Sequence, residues 1–269
     1  MRKRQLLSLT IVVIAVTTLV TVVAFHQQAQ DRPQPPNQGT KSKSEELTDI
    51  KVGVPSGEEL AYTKEYKDNY SLRGAKKLTD RNAKEEVHIE FPVGDGGQSD
   101  SEPEMTSARL FEQLSCAADA VVLGTVKDRK SHLSADQMFV YSQYEFGVDS
   151  IFKNNDFSPI IKDQSISFTR PGGNVKIGDL KVFFHVAEYP SLKIGGRYLL
   201  FLKYVREAGG YKVFDTKSDF ELGDESIRPV STVGVPNDMK DLMVRDDLIR
   251  TVRSSTSKAC SKTSLGDDQ

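Results

Sequence analysis

Apolar positions recur along the chain at three different spacings, and each spacing predicts a different kind of element. The first is continuous. Leu6 to Phe25 is twenty residues without a charge, mostly Leu, Ile, Val, Ala and Thr, behind Met1-Arg2-Lys3-Arg4. A spanning helix needs about 20 apolar residues and a signal-peptide core about 7–15. The length predicts an uncleaved anchor over 1–25, and Val22-Val23-Ala24 offers the small-residue cleavage site of the alternative, a signal peptide. Under either reading the basic tip stays in the cytoplasm and the chain after Phe25 is delivered outside.

The second spacing is two. "FVYSQYEFGVDSIF" (139 to 152) alternates Tyr144, Phe146 and Val148 against Gln143, Glu145 and Asp149, the pattern of a strand with one face buried. Ala120 to Val126 is a shorter strand, and Ser165–Thr169, Leu180–Ala187, Tyr198–Val205 and Tyr211–Asp215 follow. Gly172-Gly173, Gly195-Gly196 and Gly209-Gly210 punctuate them.

The third spacing is helical. Met105 to Leu114 carries apolar residues at 105, 108, 110, 111 and 114 behind an N-cap at Thr106 or Ser107. "PNDMKDLMVRDDLIRTVRSS" (236 to 255) places Met239, Leu242, Met243, Ile249 and Val252 on one face. Short strands closed by an amphipathic helix predict a mainly β fold: a small β-barrel or a curled antiparallel sheet, with a short N-terminal helix and a C-terminal amphipathic helix as caps.

Between the apolar run and this domain the pattern fades. Residues 26–104 hold Pro33, Pro35 and Pro36 among Gln, Asn, Lys and Ser, and a chain of that composition buries little. They are expected to be a polar linker, largely disordered, with a strand at 86–93 where Val87, Ile89, Phe91 and Val93 alternate. The domain is expected over 105–262, with 263–269 as a disordered tail.

The balance of 36 basic and 38 acidic residues excludes the electrostatic footprint of a nucleic-acid binder. Only four histidines are present. His26 falls in the linker, His132 in a polar loop and His88 in the 86–93 strand. His185, with Glu188 three residues on, is the one residue placed to act as a general base, against the plainer reading of a half-buried sheet residue. No Gly-x-Ser-x-Gly elbow is present, so no catalytic residue is assigned. No His-x-His, His-Glu-x-x-His or paired-Cys spacing suggests a metal, and no cofactor is expected. Asp95, Asp100 and Glu102 lack the spacing of a calcium loop and read as a solvated joint. "RPGGNVKIG" (170 to 178) lacks the Lys-Ser/Thr ending of a phosphate cradle and reads as a hairpin turn. Phe139, Tyr141, Tyr189 and Tyr204 are the aromatic residues available for surface recognition if they are exposed. Asn69-Tyr70-Ser71 fits a glycosylation acceptor, which has meaning in a eukaryotic secretory route.

Cys116 followed by "AADAVVLGTV", then "YEFGVDSIFKNN", then "LKIGGRYLLFLK" (192 to 203) and a closing helix with Cys260, resembles the netrin-like domain family of OB folds, which includes the tissue inhibitors of metalloproteinases. The match covers residues 116–203 plus Cys260. The resemblance implies a barrel and one bridge, Cys116–Cys260, in the oxidising compartment that the leader predicts. Free thiols at both positions are the alternative. It does not carry protease inhibition over, because that family chelates zinc with a free N-terminal cysteine and uses six cysteines, whereas this chain has two, far from its start.

The expected function is that of a membrane-tethered or secreted binding module without enzymatic activity, acting on an unknown protein or small ligand and held to the membrane through its N-terminal helix. An extracytoplasmic enzyme or protease-inhibitor-like protein is the first alternative, and a structural component of an envelope assembly the second.

Overall fold

The computed structural model describes residues 47–71, 76–81, 86–91, 105–239 and 243–257, and over them the protein is mainly β. The apolar run at 6–25, the joint at 94–104 and Cys260 lie outside the described residues.

The long alternating stretch forms strand β4 (Val140–Lys153), antiparallel to β3 (Ala120–Leu133). Their ladder shifts register at three places, between Val121/Val122, Leu123/Gly124 and Val126/Asp128. Such irregularities bend and twist a strand pair. Gly124 lies at one of them because a methyl group there would collide with the Gly147 carbonyl oxygen.

β4 pairs next with β5 (Ser165–Pro171), and β5 pairs in parallel with β9 (Gly210–Val213). β9 is antiparallel to β8 (Arg197–Val205), which is antiparallel to β3, so the pairing returns to the strand where it began. Val122, Tyr144, Phe146, Phe168, Leu200 and Tyr211 gather in the cluster these five strands share. The first half of β8 has another neighbour, β10 (Asp219–Leu222), which leads to β11 (Ser226–Pro229) and β12 (Met243–Val244). β8 is therefore buried on both faces, which explains its unbroken apolar run "YLLFL".

The opposite face, with Val121, Leu199, Phe201 and Phe220, is covered by two helices, α2 (Ser107–Ala117) and α3 (Arg245–Ser257), through Phe111, Leu114, Leu248 and Val252. The Thr106 side chain caps α2, accepting from the Arg109 amide at 3.4 Å. The carbonyls at the other end of α2 lack intrahelical donors, and two lysines supply them. Lys153 Nζ donates to Ser115, Cys116 and Ala118, and Lys203 Nζ to Ala117. α3 is shorter at its start than the 236–255 helix expected: Asn237–Met239 is a 3-10 turn, and Met243-Val244 pairs with β11 instead of continuing a helix.

A second sheet was not legible as such. Its strand order is β1 (Thr48–Ile50), β6 (Gly173–Ile177), β7 (Leu180–Val186) and β2 (Glu86–Phe91). The Gly172-Gly173 step is not the expected hairpin turn. It is the corner at which the chain leaves β5 in the large sheet and enters β6 in the small one; φ is +93° at Gly172, and a methyl at Gly173 would meet the hydroxyls of Ser131 and Ser142. The hairpin lies further on, at Gly178-Asp179 between β6 and β7.

The inner face of the small sheet, Val175, Val182, Phe184 and Ile89, packs with Tyr62 and Tyr66 of helix α1 (Gly57–Tyr70). Ser56 and Glu59 form a capping box at its start. The expectation of a largely disordered linker over 26–104 is thus corrected for the described parts of that stretch. The correction has a physical cause: three tyrosines four residues apart, 62, 66 and 70, turn one face of a charge-rich helix into core. Of the strand expected at 86–93, Glu86–Phe91 is present as β2 and pairs in parallel with β7, while residues 92 and 93 lie outside the described residues.

Candidate functional site

His185 lies on the solvent side of β7, opposite Glu90 of β2. Among the described residues no serine and carboxylate hydrogen-bond to it, so the general-base arrangement is not assembled. His88 is exposed on the same face and stacks on Phe183 at 4.7 Å. His132 is not in a loop. It is a β3 residue stacked on Tyr141 at 5.3 Å, and burial holds its imidazole below the ordinary range, with Lys130 adding to the effect. Among the described residues no group of three His, Cys, Asp or Glu converges as a metal site.

The aromatic residues named for surface recognition lie inward. Phe139 and Tyr141 are core residues, 0% and 2% exposed. Tyr189 packs edge-on to Tyr70 at 6.1 Å, and Tyr204 packs on Tyr211 at 5.3 Å. Asn69 is exposed in the last turn of α1. Cys116 is half-buried in the last turn of α2, and α3 packs against that helix and against β4.

Two constellations stand out that residue spacing alone did not single out. The first is internal. Arg170 on β5 reaches Asp219 on β10, Nη2 to Oδ2 at 2.7 Å, with side chains 1% and 0% exposed. Arg170 Nη1 donates to the Pro190 carbonyl at 2.6 Å, and its guanidinium lies 5.4 Å from the Tyr189 ring. Apart from the ion pair, both oxygens of Asp219 and the Nε of Arg170 lack a partner among the described residues. Burial pushes the Asp219 carboxyl up to about 6, against the pull of Arg170 and helped by the charge of Asp215. Beside the pair the Tyr66 hydroxyl and Thr169 Oγ1 are 2.9 Å apart, and burial raises the Tyr66 phenol. An ionised pair 1% and 0% exposed and lined by phenols is a structural clamp: it holds β5, β10 and the 187–195 loop together.

The second constellation is external. The connection from β4 to β5 displays Phe157 and Ile161, 70% and 58% exposed. Arg206, in the turn from β8 to β9, places its guanidinium carbon 4.0 Å from the centre of the Phe157 ring. An exposed aromatic beside an arginine is the composition of a binding hot spot. The stretch "NNDFSPII" carries one usable signal: paired asparagines and a proline mark a loop, yet it holds three large apolar residues, of which only Ile160 is buried. A comparison of the sequence with protein-family models gives no match, and neither does a comparison with curated proteins.

Proposed function

We propose that this protein is an extracytoplasmic binding module, tethered to a membrane or secreted, whose core is a netrin-like OB-type barrel. The observation that carries the barrel is the pairing circuit β3–β4–β5–β9–β8 and back to β3, with one parallel pair, β5 with β9. Five strands in Greek-key order are what an OB fold requires, and β3, β4, β5 and most of β8 fall in the segment that resembles the netrin-like family, with β9 just beyond it. The small sheet and α1 are additions to that plan, packed beside the ring.

Binding is favoured over catalysis because the titratable groups divide into two kinds. Asp219, Tyr66 and His132, whose ionisation burial shifts, lie in the core or stack on it, while His185 and His88 are exposed on the small sheet, and the hollow that His185 lines with Phe184 and Tyr189 brings no serine and carboxylate into hydrogen-bond reach of it among the described residues. The exposed Phe157–Arg206 pair is the feature suited to recognition. The leader and the Cys116–Cys260 bridge belong to the same proposal. α2 ends at Ala117 against Lys153, the last residue of β4, and α3, which touches both α2 and β4, ends its described part three residues before Cys260. A loop of about 140 residues closed by this bridge would restrict the unfolded chain by on the order of 4–5 kcal/mol.

The test is to produce the chain with its own leader, fractionate the cells, add protease outside, and measure intact mass with thiol alkylation before and after reduction. The expected result is a domain on the outer side of the membrane, or released from it, with no thiol alkylated before reduction. A domain protected in the cytoplasm with two alkylated thiols would overturn the proposal. A mass lacking the first 24 to 29 residues would make it secreted, and full length would keep it anchored.

A further inference from the structure

We propose that the β4–β5 connection and the β8–β9 turn together form a docking surface for a protein segment that carries a carboxylate beside an apolar side chain. This rests on the binding-module reading above. Exposure of a phenylalanine on a loop is ordinary when the loop is loose. Here the backbone is fixed from within. Asn154 Oδ1 accepts from the amides of Asn155 at 2.9 Å and Ile160 at 2.8 Å, and its Nδ2 donates to the Ile160 carbonyl at 3.0 Å. Asn155 Oδ1 accepts from the Phe157 amide at 3.0 Å, and its Nδ2 donates to the Tyr211 hydroxyl at 3.2 Å. That hydroxyl in turn donates to the Ser158 carbonyl at 2.8 Å, which ties the loop to β9. Ile160 is 5% exposed and plugs the core, so its neighbour Ile161 is turned outward. The loop thus spends two asparagine side chains and a tyrosine hydroxyl on holding Phe157 and Ile161 in water, and a surface fixed before binding loses little entropy on binding.

Arg206 gives the surface its chemistry. Its guanidinium covers one face of the Phe157 ring, and among the described residues no carboxylate pairs with it. Its planar fork of donors matches a carboxylate in two-point geometry. The uncovered side of the ring and Ile161 offer apolar contact next to it. A lipid surface is a poorer match. The exposed charges nearby are Asp156, Asp163 and Glu207 against Lys162 and Arg206, so the patch lacks the positive excess by which an anionic bilayer draws a protein. A single directed cation between apolar groups, with acidic residues around it, suits a protein segment with one acidic side chain and penalises one with many.

The test is selection from a phage-displayed library of random peptides on the full-length protein in nanodiscs of neutral phosphatidylcholine. The expected outcome is enrichment of peptides with Asp or Glu within two residues of Leu, Ile or Phe. A synthetic copy of an enriched peptide should bind Phe157→Ser and Arg206→Ala at least about tenfold more weakly, with Arg206→Lys falling between. Both positions are exposed, and an unchanged melting temperature confirms that the variants fold. Absence of enrichment overturns the proposal, as does enrichment without a carboxylate. Peptides that bind the variants as tightly as the parent also overturn it while leaving the binding-module reading in place, since they report another face. Equal Phe157 dependence of binding to phosphatidylglycerol vesicles would transfer the patch to a lipid partner. Concentration-dependent self-association lost in Phe157→Ser would transfer it to a second copy of the chain.

Discussion

Replacing Arg170 with Met leaves the Asp219 carboxylate with no compensating charge in a site where its side chain is 0% exposed. Its carboxyl already stands at about 6 with Arg170 present, from an ordinary value of 3.8. Because the folded value lies above the unfolded one, the folded chain takes up this proton more readily. The group's contribution to stability is therefore greatest in acid and is lost as pH rises from about 4 through 6. At about 1.36 kcal/mol for each pH step, the displacement means that the ionised carboxylate costs the fold about 3 kcal/mol at neutral pH relative to the protonated one. The attraction of Arg170 is what keeps this cost from being larger. Arg170→Met is expected to lose about 3–5 kcal/mol at pH 7.5, and to recover much of it at pH 5, where the uncompensated carboxyl is protonated. Leucine at 219 repeats the branching of the aspartate side chain without its charge. The pair Arg170→Met/Asp219→Leu removes both charges and should come within about 1 kcal/mol of the parent at pH 7.5, or exceed it. Urea denaturation of the parent, the single and the double variant at both pH values reads this directly, since comparison at equal pH cancels the other carboxylates. A single variant equally destabilised at pH 5 and 7.5 would refute the reasoning, and so would a double variant no more stable than the single.

Lys153→Met should destabilise by about 1.5–3 kcal/mol, seen as a lower urea midpoint with an unchanged slope, because three carbonyls at the end of α2 lose a charged donor. Gly124→Ala should cost about 1–3 kcal/mol or prevent folding, since the new methyl meets the Gly147 carbonyl of the backbone as well as the buried Phe146 ring; a melting temperature equal to that of the parent would contradict the close approach of β3 to β4. Ser56→Ala removes the α1 cap and should cost about 1 kcal/mol, with hydrogen exchange faster in α1 than in β8; equal exchange in the two would show that the helix opens only with the whole domain and would contradict a local loss. Without reductant, alkylation should modify neither Cys116 nor Cys260, and Cys260→Ser should lower the melting temperature; two modified thiols would remove the bridge.

The central elements were legible because each reports its own burial. β4 shows a period of two, β8 an unbroken apolar run, and α2 a cap followed by apolar residues at helical spacing. What escaped was whatever depends on a partner far away in the chain. β1 has three residues and is a strand only because β6, some 125 positions later, lies beside it. β10 and β11 have four residues each, too few for a period to register. α1 carries eight polar or charged residues out of fourteen if its tyrosines are counted as apolar, so it reads as a solvated segment until the small sheet supplies a surface for Tyr62 and Tyr66. The Gly172-Gly173 corner was misread for the same reason: two glycines signal a sharp change of direction, but not whether the chain returns to its own sheet or crosses to another.

The same distinction separates the two constellations. Arg170 and Asp219 are 49 positions apart, and in sequence each is an ordinary charged residue bordering an apolar run. Only the placement of β5 in the ring and of β10 beside β8 brings them together, and an isolated ion there would cost several kcal/mol, so each side chain makes the other tolerable. Phe157 and Arg206 are also 49 positions apart, but nothing in the fold requires them. Removing the ring would relieve a hydration cost, and removing the guanidinium would leave no buried charge. An exposed surface that does not serve the core, and that is held rigid by side chains that do serve it, is better explained by what it meets than by what it supports.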